Sequence, residues 1–347
     1  MLNRISRRPS ANYAGRDIWL FQIEGERMSA AVTNFGGILQ SLFVRDARGE
    51  TLDVVLGYDT LAEYIADGTF FGAMIGPIAD RMDGGRCVLA GKQVELPKNA
   101  GPDSMHSGPR GFHRQIWDWE ELPDGISFSR RFSDGELGFP GSLGVRLNYR
   151  LNGDALRLEY AARSDTETAL SFTNHSYFNL DGARGDCRSH VLKLSASQYA
   201  ETRRQTDPIA TGRLLDAAGT PLDFRSGRAV GDAAARAEFP EIRAAGGVDH
   251  YFACDGEGFR TMATLASPAS GLTLTCSSDA PGLLVYTGNG LDGVAGKGGK
   301  IYGRHWGVCL ETGRFPNAVN FPGRREGVLL QPGEAYESAT EFAFSAE

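Results

Sequence analysis

"VRLNYRLNGDALRLEY", residues 145–160, contains two runs in which apolar and polar residues alternate. Val145, Leu147, Tyr149 and Leu151 fall on one face of an extended chain, and Leu156, Leu158 and Tyr160 repeat the pattern. Period two is the period of a strand, because successive side chains point to opposite faces of a sheet. Asn152-Gly153 stands between the runs and tolerates the positive φ of a tight hairpin turn. The stretch predicts an antiparallel hairpin with one buried face and one wet face.

Outward from this hairpin the same signal recurs. "DIWLFQIE" (17–24), "GISFSRRF" (125–132), "VLKLSA" (191–196) and "GLTLTCSS" (271–278) read as strands, and "APGLLVYTGN" (280–289) leads into another. Helical signals are few and short: "TLAEYIAD" (60–67) and "PEIRAA" (240–245). Of 347 residues, 45 are glycine, nearly twice the roughly 7% of average usage, as many tight turns require. No fixed-period repeat, charged linker or low-complexity tract divides the chain. These features predict an all-β fold, a large antiparallel β-sandwich with few short helices, in one domain spanning residues 1–347.

Composition removes several function classes. Net charge is −7 and the basic residues form no long run, so nothing recommends nucleic acid as a partner. "NRISRR" (3–8) reads as a solvated basic tail. No apolar run approaches the roughly 20 residues that cross a bilayer, and the first residues lack the apolar core of a secretory signal. The five cysteines (87, 187, 254, 276 and 309) are scattered, with no spacing for disulfides or zinc. A reducing, cytoplasmic setting follows as the simplest expectation. "GNGLDGVAGKGGK" (288–300) lacks GxxxxGK followed by Ser or Thr and reads as a flexible surface loop. There is no GxSxG elbow and no HExxH, and no local spacing calls for a metal or a cofactor.

Polar residues able to do chemistry sit in five separated segments: "IADRM" (78–82), "SMHSGPRGF" (104–112), "TNHSYFNL" (173–180), "GGVDHYF" (246–252) and "LETGRFPNAVN" (310–320). Singly, each has a structural explanation. Arg81 suits an ion pair, His106 and His175 suit packed histidines, and Asp249 suits a turn cap. Glu311 follows the apolar "VCL", and a carboxylate buried without partner or task is costly.

Taken in order, "MHSGPRGF", "NHSYFNL" and "LETGRFPNAVN" resemble the sugar mutarotases, the aldose 1-epimerase (galactose mutarotase) family. The likeness extends over about residues 34–334. It implies a β-sandwich with an open cleft for a free monosaccharide. It also implies Glu311 as general base, His175 as general acid, His106 as a sugar contact near the ring oxygen, and Arg81 and Asp249 as substrate-binding residues. Asn174, Ser176 and Tyr177 are expected to hold His175. A carboxylate and an imidazolium suit anomer interconversion, in which the C1 hydroxyl loses a proton while the ring oxygen gains one. No cofactor is needed, and a monomer or homodimer suffices.

The chain departs from the family pattern at Pro77, Asp80, Ser107, His113, Ala280, Gly313, Arg314 and Asn317. Lost long amides at 280 and 313 are expected to open space at the cleft rim and alter sugar preference. Two alternatives differ in class. A carbohydrate-binding protein on the same scaffold would need no acid–base pair. A glycoside-cleaving enzyme would need two carboxylates across a bond, with Asp249 facing Glu311.

Overall fold

A computed structural model describes residues 3–66, 68–203 and 208–347. Its largest sheet has nine strands, ordered 118–122, 125–132, 143–152, 155–164, 335–346, 272–278, 260–266, 191–194 and 228–229. The hairpin lies in it: Leu143–Asn152 pairs antiparallel with Ala155–Ser164, with Leu147 opposite Tyr160 and Leu151 opposite Leu156. The turn sits one residue later than Asn152-Gly153 suggests. Asn152 still pairs, with Ala155, and Gly153 takes φ 62°. Gly first, at positive φ, is the requirement of a type II′ hairpin turn.

A six-stranded sheet, ordered 177–178, 308–313, 282–286, 249–253, 198–203 and 209–216, packs on the first. Phe178 meets Phe342 with ring centroids 4.9 Å apart, and Thr312 Oγ1 lies 2.5 Å from Thr340 Oγ1. A five-stranded sheet runs in chain order from Arg4–Tyr13 to Thr51–Asp53. All the expected strands form, and both expected helices appear as Leu61–Ala66 and Pro240–Ala245. Thr60 and Glu63 cap the first: Thr60 N–H donates to Glu63 Oε2 (2.8 Å) and Glu63 N–H to Thr60 Oγ1 (3.4 Å). Asp67, the end of that stretch, lies outside the described residues. Among the described residues no helix is long and apolar enough to cross a membrane.

Two sequence readings are corrected. The basic N-terminal segment is an edge strand, Arg4–Tyr13, paired along Arg16–Glu24. Arg7 lies over the Trp119 ring at 4.7 Å and pairs with Glu121, and charge along an open edge discourages strand addition. The 288–300 segment is anchored. The Lys297 ammonium meets Gln40 O (2.7 Å), Ser41 Oγ (3.3 Å), Asp53 Oδ2 (2.7 Å) and Val55 O (2.7 Å). A lysine so surrounded ties the loop to residues more than 240 positions earlier. Lys297→Met is therefore expected to cost about 2 kcal/mol, below the roughly 3–5 kcal/mol for stripping one partner from a fully buried ion pair, because the pair is only partly buried. Urea denaturation checks this; an unchanged midpoint would show that the anchor carries no stability.

Candidate active site

The strand Val308–Gly313 presents two faces. Thr312 turns to the nine-stranded sheet, so Val308 and Leu310 share its face by alternation. Cys309, Glu311 and Gly313 face the other way. Glu311 pairs with Leu284, and Cys309 with Tyr286, which pairs in turn with Asp249. Paired residues share a face, so Asp249, Tyr286, Leu284 and Glu311 form one patch.

His175 reaches this patch from a segment between two short strands, Thr173–Asn174 and Tyr177–Phe178. Its N–H donates to Ala73 O (3.0 Å) and its carbonyl accepts from Gly72 N–H (2.9 Å). Gly72 has φ 65°, and a Cβ there would meet Leu39 O at 2.1 Å, so this anchor requires glycine. Asn174 Nδ2 donates to Gly72 O (2.9 Å) and to the Tyr149 hydroxyl (3.1 Å), which donates to Gly37 O (2.7 Å). Ser176 N–H and Oγ both donate to Asn174 Oδ1, at 3.1 and 2.5 Å. Tyr177 stacks on the His175 ring with centroids 5.0 Å apart. The polar stretch is thus both cavity lining and scaffold: Asn174 and Ser176 lock the backbone that carries His175.

Arg81 and His106 arrive together, because Arg81–Met82 pairs with Ser104–Met105. Asp80 N–H donates to His106 Nδ1 (3.2 Å), so the neutral ring carries its proton on Nε2. Burial, with His175, His113 and Arg81 nearby, holds the His106 pKa well below the ordinary histidine range. His106 is therefore a neutral N–H donor.

Asp80, Arg81, His106, His175, Asp249 and Glu311 line one cavity of about 180 Å³, so all five candidate residues meet there. At roughly 30 Å³ per water it holds about six waters, room for one small ring. Of the aromatic lining, Phe70, Tyr177 and Tyr286, sequence singled out Tyr177 as a support for His175 but not Phe70 or Tyr286. Phe70 sits 4.6 Å from His106 and 5.8 Å from His175 between ring centroids. Its φ of 63° leaves no trace in sequence. A wider groove of about 870 Å³ on the nine-stranded sheet has no histidine in its lining, so size alone does not select the site.

His175 Nε2 lies 3.5 Å from Glu311 Oε1, and both side chains are under 10% exposed. Burial raises the Glu311 pKa well above the carboxylate range, helped by Asp80 and Asp249. Burial also lowers His175 to about 4. Proximity alone suggests an ionised pair, but desolvation favours a carboxylic acid beside a neutral imidazole. Either way the pair holds one proton. Arg81 NH1 lies 3.7 Å from Asp249 and 3.6 Å from Asp80.

Cys309 Sγ is 3.6 Å from His175 Nδ1. Donor atoms of His175, Cys309 and Glu311 fall within 4.8 Å of one another, a spacing open to a metal. Burial pushes the Cys309 thiol well up, with Glu311 adding to it, and a metal takes the thiolate. The trio is a poor fit for a resident ion.

The departures sort by position. Of them only Asp80 lines the cavity. Ser107 Oγ accepts from Ile78 N–H (2.9 Å) and donates to Ile78 O (3.1 Å). Asn317 Oδ1 accepts from Asp83 N–H (3.2 Å). Arg314 donates to Gly327 O and lies over Tyr336. Ala280 and Gly313 do not line the cavity. Arg314 instead borders a separate cavity of about 480 Å³.

The family model described as aldose 1-epimerase matches residues 20–343. Galactose mutarotase of Rattus norvegicus is 37% identical over 328 residues, covering 94% of this chain and 93% of its own. Aldose 1-epimerase of Escherichia coli K12 is 33% identical, covering 92% and 93%. The crystal structure of an aldose epimerase homologue from C. elegans superposes with a TM-score of 0.86 at 28% identity, covering 92% of this chain and 96% of that one.

Proposed function

Because the chain belongs to the aldose 1-epimerase family and so interconverts the α and β anomers of a free aldose, we propose that Glu311 is the base and His175 the acid. Glu311 takes the proton of the C1 hydroxyl while His175 Nε2 delivers one to the ring oxygen. The C1–O5 bond breaks, leaving an aldehyde at C1 and a hydroxyl at C5. Rotation about C1–C2 turns the other carbonyl face to the C5 hydroxyl, and reversal of both transfers closes the ring. Each positioned group contributes about 10²- to 10⁴-fold. One observation carries the assignment: His175 Nε2 and Glu311 Oε1, 3.5 Å apart, border a single cavity. His106 donates to the sugar through Nε2–H, Arg81 donates to hydroxyls and Asp249 accepts from them. The proposal takes residues 1–347 as one domain, a cytoplasmic monomer or homodimer acting on a free monosaccharide without nucleic acid, membrane or cofactor.

The reactive form, Glu⁻ beside HisH⁺, is a tautomer of the neutral pair, with the same number of protons. Reaching it costs one transfer from Oε1 to Nε2, and donors on the bound sugar favour it by hydrogen-bonding the carboxylate. Activity should therefore survive the neutral range. It falls at low pH when a second proton enters the pair near pH 4, the lowered value of His175. It falls at high pH when the single proton leaves the raised Glu311 carboxyl. Anomeric NMR on freshly dissolved α-D-galactose and α-D-glucose, with and without protein across pH, tests both points. A kcat/KM midpoint near pH 6.5 on the acid side would refute the shared proton. Protein that leaves relaxation of these and other free aldoses at the spontaneous rate would refute the assignment.

A further inference from the structure

Three carboxylates, Asp80, Asp249 and Glu311, border one 180 Å³ cavity with a single guanidinium, Arg81. The nearest charged or titratable partners of their oxygens lie at 3.6, 3.7 and 3.5 Å, beyond the 2.7–3.2 Å of a good N–H···O bond. Arg81 also hydrogen-bonds Asp80 through its backbone and Asp249 through its side chain, yet both carboxylates keep partial exposure toward the cavity, where further lone pairs can accept from a ligand. Asp80 is the one departure from the family pattern on this surface, and an ionised aspartate only accepts where an amide would also donate. Its place is fixed. Asp80 has φ 62°, its N–H donates to His106 Nδ1, and its carbonyl accepts from His106 N–H (3.0 Å).

We propose that Asp80 is a specificity-determining residue that makes this part of the cleft acceptor-only, admitting neutral aldoses through their hydroxyl protons and rejecting aldoses that carry a carboxylate. The proposal rests on the sugar-cleft assignment above and deepens it by naming the substrate class. The Glu311–His175 pair carries no net charge, so a uronate entering the cavity brings a third negative charge beside Asp80 and Asp249, and Arg81 already stands between those two.

The device is pH-dependent. Burial raises the Asp80 pKa to about 6; Arg81 opposes the shift, while Asp249 and Asp103 add to it. Glu311 from the strand Val308–Gly313 and the neutral His106 complete the groups around the site. Above pH 6 Asp80 is an anion. Below it, Asp80 carries a proton and can donate to a carboxylate, which itself stays ionised at pH 5.

The test compares kcat/KM for D-galactose and D-galacturonate, with spontaneous relaxation subtracted. In the wild type at pH 8 the uronate should be disfavoured by about tenfold or more, as expected for like charges a few ångströms apart at moderate effective dielectric. The ratio should rise about tenfold at pH 5, and equally in Asp80→Asn at pH 8. Taking the ratio at each pH cancels the titration of Glu311 and His175. Equal acceleration of both sugars at pH 8, or a ratio unmoved by Asp80→Asn, overturns the proposal. If the variant does not fold, a wild-type ratio constant from pH 8 to pH 5 overturns it alone. No acceleration of any sugar would instead bring down the cleft assignment, a distinguishable failure.

Discussion

Glu311→Gln is expected to lower kcat for anomer interconversion by about 10³, inside the range for a positioned acid–base group. Glutamine keeps the side-chain shape and the pairing with Leu284, but its amide cannot take the C1 hydroxyl proton. Because burial favours the protonated Glu311 carboxyl, the swap replaces one neutral group by another. The thermal midpoint should therefore move by no more than a degree or two, so that lost rate reports lost chemistry. Relaxation of pure α anomers, followed by NMR after subtracting the spontaneous rate, makes the measurement. A variant within tenfold of the wild type would remove Glu311 from the mechanism.

His175→Asn should match that loss, again about 10³. Asparagine retains the backbone hydrogen bonds to Gly72 and Ala73 and loses only the ring proposed to protonate the sugar. The two residues share one resting proton and are proposed to work in the same step, so their effects should not add; groups working as a unit show strong non-additivity. The double variant should be slower than either single by less than tenfold. A loss near 10⁶ would mean two independent contributions. A His175→Asn enzyme with near-normal kcat would leave Glu311 in need of another acid, with His106 the nearest candidate on the same cavity.

How much of this was legible depends on how local its cause is. The 145–160 hairpin could be read because alternation and a glycine turn are written within sixteen residues. Thr60 and Glu63 likewise cap their helix from three positions apart. The Lys297 anchor could not be read this way, since its acceptors are Gln40, Ser41, Asp53 and Val55 and nothing near residue 297 announces them. In the site, Glu311, His175, His106, Arg81 and Asp249 were visible as polar groups in apolar settings, and resemblance gave them roles. Phe70 was invisible because its position depends on a left-handed backbone conformation. Sequence marked Asp80 as a departure; its place on the cavity wall follows from pairing between Arg81–Met82 and Ser104–Met105.

Glu311 and Thr312 are neighbours in the chain, yet one serves the cleft and the other the interior between sheets. Their division of labour is a matter of parity. Inserting or deleting one residue in the strand ahead of them would send a hydroxyl to the sugar and an acid into the hydrocarbon interior. Side chains along 308–313 other than Glu311 can drift by substitution, but the count of residues paired in the strand ahead of position 311 can change only in steps of two. Over evolutionary time the arithmetic of this strand should be better preserved than its composition.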